Sequence, residues 1–147
     1  MKESGRTRQE RHFQALMKFW GMAFLVAAAL AATIPDILIP YITDIGRVIF
    51  HWHGPNPTLT RDCTWLIPSI SILFVLSYVC FKIGHDPVEN IHFTPIVLLA
   101  KCITAVGYLV CLFFIQPLFI YLFAAVIDSI IFVSVLVTYR AALISRP

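Results

Sequence analysis

The run IVLLAKCITAVGYLVCLFFI, residues 96–115, carries one charge, Lys101. Residues 118–139 likewise carry one, Asp128. A lysine or aspartate at the centre of a bilayer costs roughly 2.5–3.5 kcal/mol on insertion scales. Two such groups of opposite sign lower that cost sharply by facing each other. Their depths allow it. Lys101 lies eight residues beyond Phe93, roughly 12 Å at 1.5 Å per residue. Asp128 lies eleven residues beyond Pro117 on a run of opposite direction, roughly 16 Å from the other face. In a hydrocarbon core of about 30 Å, both charges fall near mid-depth. A Lys101–Asp128 contact is therefore expected. Thr94, Lys101 and Tyr108 are spaced by seven on one run, and Tyr121 and Asp128 by seven on the next. Ser71, Ser77 or Tyr78 can add to this polar stripe. Lys101, Asp128, Tyr108 and Tyr121 thus form a candidate pocket, since intramembrane ionisable groups often mark functional sites. The plainer alternative is a pair that fixes the register of a helical hairpin.

Other chemistry is sparse. His51 and His53, in HWH, point the same way in an extended segment and can there chelate a metal; on a helix they diverge. A third ligand would be needed, and Asp62 and Cys63 are the nearest in sequence. The competing reading is an interfacial Trp-His belt, so no metal is assigned. His12, His51, His53, His85 and His92 all fall in tails or loops, away from the mid-span depth a transmembrane haem requires. Four cysteines, Cys63, Cys80, Cys102 and Cys111, match no zinc or haem-attachment spacing. No nucleophile elbow, phosphate loop or paired carboxylate site is present, so the chain is not read as an enzyme.

The elements that position these residues derive from composition and pattern. The 147 residues are 59% apolar against roughly 45–50% in soluble proteins, and only 13% are charged. A chain of this size has too small a core to hide that much apolar surface, so lipid must cover part of it. The pattern gives one all-α membrane domain, a four-helix bundle over 1–147. Residues 1–18 form a basic tail whose second half can be helical, with Phe13, Leu16 and Met17 on one side. The spans run over about 19–35, 64–83, 93–115 and 118–139, each near the 20 residues that cross a bilayer. The stretch LVAAALAAT in the first run looks like a signal-cleavage region, but it is read as a retained helix. Gly21 and the alanines of that run offer a surface for close helix contact. In the 36–63 excursion, Ile42, Ile45, Val48 and Ile49 recur at helical spacing, which predicts an amphipathic helix lying in the interface. Asp86, before Pro87, is placed to cap the segment after it.

Lysine and arginine are unevenly placed. Lys2, Arg6, Arg8, Arg11, Lys18, Lys82, Arg140 and Arg146 fall on one side of the bundle, against Arg47 and Arg61 on the other. The asymmetry puts both termini in the cytoplasm and 36–63 outside. The net charge of +3 comes from these clusters and points to membrane orientation, not to nucleic acid.

The stretch FVLSYVCFKIGHDPVENIHFTPIVLLAKCITAVGYLV has a helix, a small loop with Asp-Pro, a helix with an internal lysine, then Gly-Tyr. It resembles the DoxX-like superfamily of small four-helix membrane proteins over roughly residues 73–137, with Asp86, Pro87 and Lys101 as the matching positions. The resemblance implies a four-helix bundle with cytoplasmic termini. Some members are linked to quinone-dependent oxidoreductases, and others are small subunits of larger assemblies; no catalytic residue carries over. The leading expectation is a non-catalytic accessory subunit in contact with lipids and with other membrane subunits or its own copies. Behind it stands a quinone- or lipid-binding component of a membrane oxidoreductase. A stand-alone transporter or sterol-type isomerase ranks last.

The orientation has a direct test. An impermeant thiol reagent applied to intact cells should label Cys63 and spare Cys80, Cys102 and Cys111. Labelling of Cys63 only after the cells are opened would invert the topology.

Overall fold

The structure, a computed structural model, describes residues 7–55 and 66–145. Lys2, Arg6, Arg61, Asp62, Cys63 and Arg146 lie outside them, as does the expected start of the second span at 64. The described residues are all-α, in the order α1 (Arg8–Thr33), α2 (Pro35–Phe50), α3 (Leu66–His85), α4 (Pro87–Asn90), α5 (Thr94–Val110) and α6 (Phe119–Ile144). A 3₁₀ turn, Ile91–Phe93, leads into α5, and a π-helical turn, Cys111–Ile115, extends it. Four helical stretches are long and apolar enough to cross a membrane: Arg8–Thr33, Leu66–His85, Pro87–Ile115 and Phe119–Ile144.

The apolar run starts at Phe19, yet α1 starts at Arg8. A capping box at Thr7 sets that start. The Glu10 amide donates to the Thr7 hydroxyl at 3.2 Å, and the Thr7 amide donates to the Glu10 carboxylate at 3.0 Å. From there the buried residues step by three and four along one face: Glu10, Phe13, Met17, Gly21, Phe24, Ala28. Phe13 and Met17 are fully buried in a core that also holds Ile83, Val97, Val135 and Ala142. Burial of a large apolar side chain stabilises by about 1.5–3 kcal/mol, so the first turns are held in the bundle and do not form a separate tail. The other end of the chain joins them, with the Thr7 and Ser145 hydroxyls 3.0 Å apart.

Around the bundle the order is α3, α1, α6, α5. The most extensive contacts are α1 with α3 and α5 with α6; α1 also packs on α6. Gly21 permits the α1–α3 approach: a Cβ there would lie 3.2 Å from Phe81 and 3.3 Å from Cys80. The buried Ser77 hydroxyl donates to the Gly21 carbonyl at 2.8 Å across the same contact. Trp20 Nε1 donates to Ser134 Oγ at 3.2 Å, tying α1 to α6.

Pro35 ends α1 and opens α2, because the residue before a proline is pushed out of the helical region. The sixteen residues of α2 pack on α6 and α1 through Ile39, Thr43 and Gly46. The isoleucine-valine pattern marks a different face. Ile42 and Ile45 are half-buried, while Val48 and Ile49 point outward at 77% and 64% exposure. Gly46 is the reason: it admits the buried ring of Phe119, which occupies the place a Cβ would take. Phe50 and Trp52 pack around that ring at 5.5 and 5.8 Å between centroids, the first tilted and the second edge-on. Trp52 Nε1 donates to the Pro117 carbonyl at 3.2 Å, fastening α2 to the α5–α6 connection. Asp86 caps α4, its Oδ1 accepting from the amides of Val88 at 3.1 Å and Glu89 at 3.4 Å.

Gly46→Ala forces a methyl into the Phe119 ring and should cost about 1–3 kcal/mol, the usual penalty of overpacking. Gly107→Ala, at a helical site with nothing within 4 Å, is the matched control. It should stabilise by about 0.5–1 kcal/mol by removing a helix glycine. Thermal unfolding in detergent should move in opposite directions for the two variants; equal shifts would refute the close-approach account.

Candidate functional site: the buried charge cluster

Helices α5 and α6 run antiparallel, joined through residues 116–118. On α5 the inward face is Thr94, Val97, Lys101 and Ala105; on α6 it includes Ala125, Asp128, Ile131 and Val135. These faces bring the two charges together. Lys101 Nζ donates to Asp128 Oδ1 at 2.8 Å, with the residues only 5% and 7% exposed. The contact is a hydrogen-bonded ion pair in an apolar interior, where water competes least for either charge.

Two further groups complete the cluster, and neither belongs to the sequence-derived stripe. The Thr104 hydroxyl donates to Asp128 Oδ2, so both carboxylate oxygens are engaged. Thr104 lies three residues beyond Lys101, on the same side of α5. That spacing was the available signal. The second group is Phe24 on α1, whose buried ring centroid lies 4.6 Å from Lys101 Nζ. A cation over an aromatic face is worth about 0.5–2 kcal/mol, most when desolvated. No periodicity on α1 reveals which residue meets Lys101, because that depends on how the helices pack.

Tyr108 and Tyr121 lie two turns from the pair, on the side of the 116–118 connection. Their rings stack, with centroids 6.2 Å apart and an interplanar angle of 24°. Tyr108 is 37% exposed, so this layer opens to the outside while the ion pair does not. In the other direction Thr94 is fully buried at the start of α5, and its hydroxyl has no hydrogen-bond partner among the described residues. The residues of α3 do not join the cluster by any described hydrogen bond. Ser77 bonds to Gly21, Ser71 donates to the Ile67 carbonyl at 2.8 Å, and Tyr78 is 67% exposed.

His51 sits in the left-handed region, φ 49°, as the C-cap of α2, and His51 and His53 are both exposed. Among the described residues no three of His, Cys, Asp and Glu gather as a metal site. Asp62 and Cys63, the suggested third ligands, lie outside the described residues.

Comparison of the chain with family models, with curated proteins and with solved structures gives no match.

The cluster makes a sharp thermodynamic statement. Lys101→Ala leaves a buried carboxylate without its cation and should cost on the order of 3–5 kcal/mol. Lys101→Met combined with Asp128→Leu removes both charges and should recover most of that loss. Thr104→Val strips one hydrogen bond from a charged group and should cost about 1–3 kcal/mol. Unfolding in detergent gives all three values. A double variant no more stable than Lys101→Ala would mean the two residues are not partners.

Proposed function

We propose that this chain is a non-catalytic, integral membrane four-helix protein that serves as an accessory subunit of a larger membrane assembly. One observation carries the reading. The buried Lys101 and Asp128 satisfy each other, leaving neither free to hold a charged substrate, while the apolar surface is turned outward. Asp128 has both oxygens engaged, and Lys101 has Asp128 on one side and the Phe24 ring on another. By contrast, of an 18-residue apolar segment in each spanning stretch only 22–28% is buried within the described residues. Phe113, Phe114 and Ile115 are 75%, 84% and 68% exposed. Water penalises so extensive an apolar exterior; lipid tails and neighbouring subunits accept it. The lysine and arginine asymmetry supports both termini in the cytoplasm and the 36–63 excursion outside. The DoxX-like resemblance of residues 73–137 agrees with a small subunit.

A second reading rests on the tyrosine layer. Tyr108 and Tyr121 form an aromatic platform two turns from the ion pair, and Tyr108 reaches the surface. A quinone ring or a lipid could lie against that platform, which would make the chain a cofactor-holding component of a membrane oxidoreductase.

Purification in a mild detergent from the native membrane separates the two. An accessory subunit should travel at a fixed stoichiometry with other membrane proteins, and the Lys101→Met/Asp128→Leu variant should still do so. A chain that migrates alone but carries an extractable quinone, lost in Tyr108→Ala, would displace the first reading by the second.

A further inference from the structure

At the basic end of the bundle an open groove of about 780 Å³ runs between α1, α3 and α4. Its walls have a consistent polarity. Lys18 on α1 and Lys82 on α3 stand at one end, with His85, Glu89 and Asn90 on the rim. One helical turn away on each helix the lining becomes apolar, with Met22 four residues after Lys18 and Tyr78 four residues before Lys82. Because α1 and α3 run in opposite directions, those two steps lead the same way along the groove. Cations therefore gather at one end, and apolar and aromatic surface lies beyond them. Lys82 Nζ is placed 4.6 Å from the Phe93 ring centroid, and the Lys18 side-chain stem and backbone are packed against Gly84.

That polarity matches an amphiphile with a negative head and a hydrocarbon tail. We propose that the groove binds an anionic phospholipid, its phosphodiester between Lys18 and Lys82 and its acyl chains along Met22, Tyr78 and Phe81. His85 and Asn90 can donate further hydrogen bonds to the head group. Among the described residues that line the groove, Glu89 is the single carboxylate and offsets one of the two lysine charges. The site is separate from the Lys101–Asp128 cluster and does not depend on the identity of any partner subunit.

The test uses the full-length protein in a neutral detergent, with native mass spectrometry reading bound lipid. Phosphatidylglycerol should bind in preference to phosphatidylcholine of the same chain length. One lysine near a membrane surface contributes about a fivefold gain for anionic lipid, so Lys18→Gln/Lys82→Gln should weaken phosphatidylglycerol roughly thirtyfold and leave phosphatidylcholine unchanged. Arg47→Gln, on α2 and outside the groove, should change neither. If the glutamine variant unfolds, Lys18→Arg/Lys82→Arg keeps the charge and must keep the preference. Equal binding of the two lipids would overturn the proposal, as would a preference that survives loss of both lysines. So would inorganic phosphate displacing the lipid at millimolar concentration, since the tail would then contribute nothing.

Discussion

The contact between Lys101 and Asp128 is the constraint on which the bundle turns. Two buried charges are costly when apart, so the 2.8 Å contact favours the arrangement of α5 and α6 that keeps them within hydrogen-bond reach. The short 116–118 connection is compatible with that register, and the Thr104 hydroxyl holds the second carboxylate oxygen. Phe24 extends the constraint beyond the hairpin. Its ring faces the ammonium, so the position of α1 is set partly by a charge on a helix two places away in the bundle order.

The two ends of the bundle are closed by different chemistry. At one end Phe50, Trp52 and Phe123 surround Phe119, and Gly46 makes room for the central ring. At the other end α1 and α6 run on together, joined through Thr7 and Ser145, and lysines and arginines ring the surface. The aromatic end needs an amphipathic neighbourhood for its Trp and Tyr groups, and the basic end is attracted by negative surface charge. The asymmetry is built from separate residues at each end, so it does not depend on the central ion pair.

Much of this architecture was legible in the sequence because lipid-scale helices leave a plain signal. Runs of about 20 apolar residues place the helices, and two lone charges at matched depth announce their own contact. The features that stayed hidden depended on packing between helices. The polar stretch 8–18 looks like a tail, although it belongs to a helix whose buried face is Glu10, Phe13 and Met17. Thr7 and Glu10 held the clue to its start. In α2 the regular isoleucines and valines announced the helix, but not the face through Ile39, Thr43 and Gly46 that packs on the bundle, because the fit of a glycine to a phenylalanine ring leaves no period of large side chains. Phe24 and the Lys18–Lys82 groove lie between helices distant in sequence, where no spacing rule reaches.

The ion pair also has a history in time. Lys101 and Asp128 are 27 residues apart in the chain. At synthesis rates of about 5–20 residues per second, the lysine emerges roughly one to five seconds before its carboxylate exists. Throughout that interval its helix must hold an uncompensated cation. Phe24, made earlier still, is already there, so the aromatic face that flanks the finished pair can serve first as the lysine's temporary host. The order of residues along the chain thus supplies the weaker partner before the stronger one.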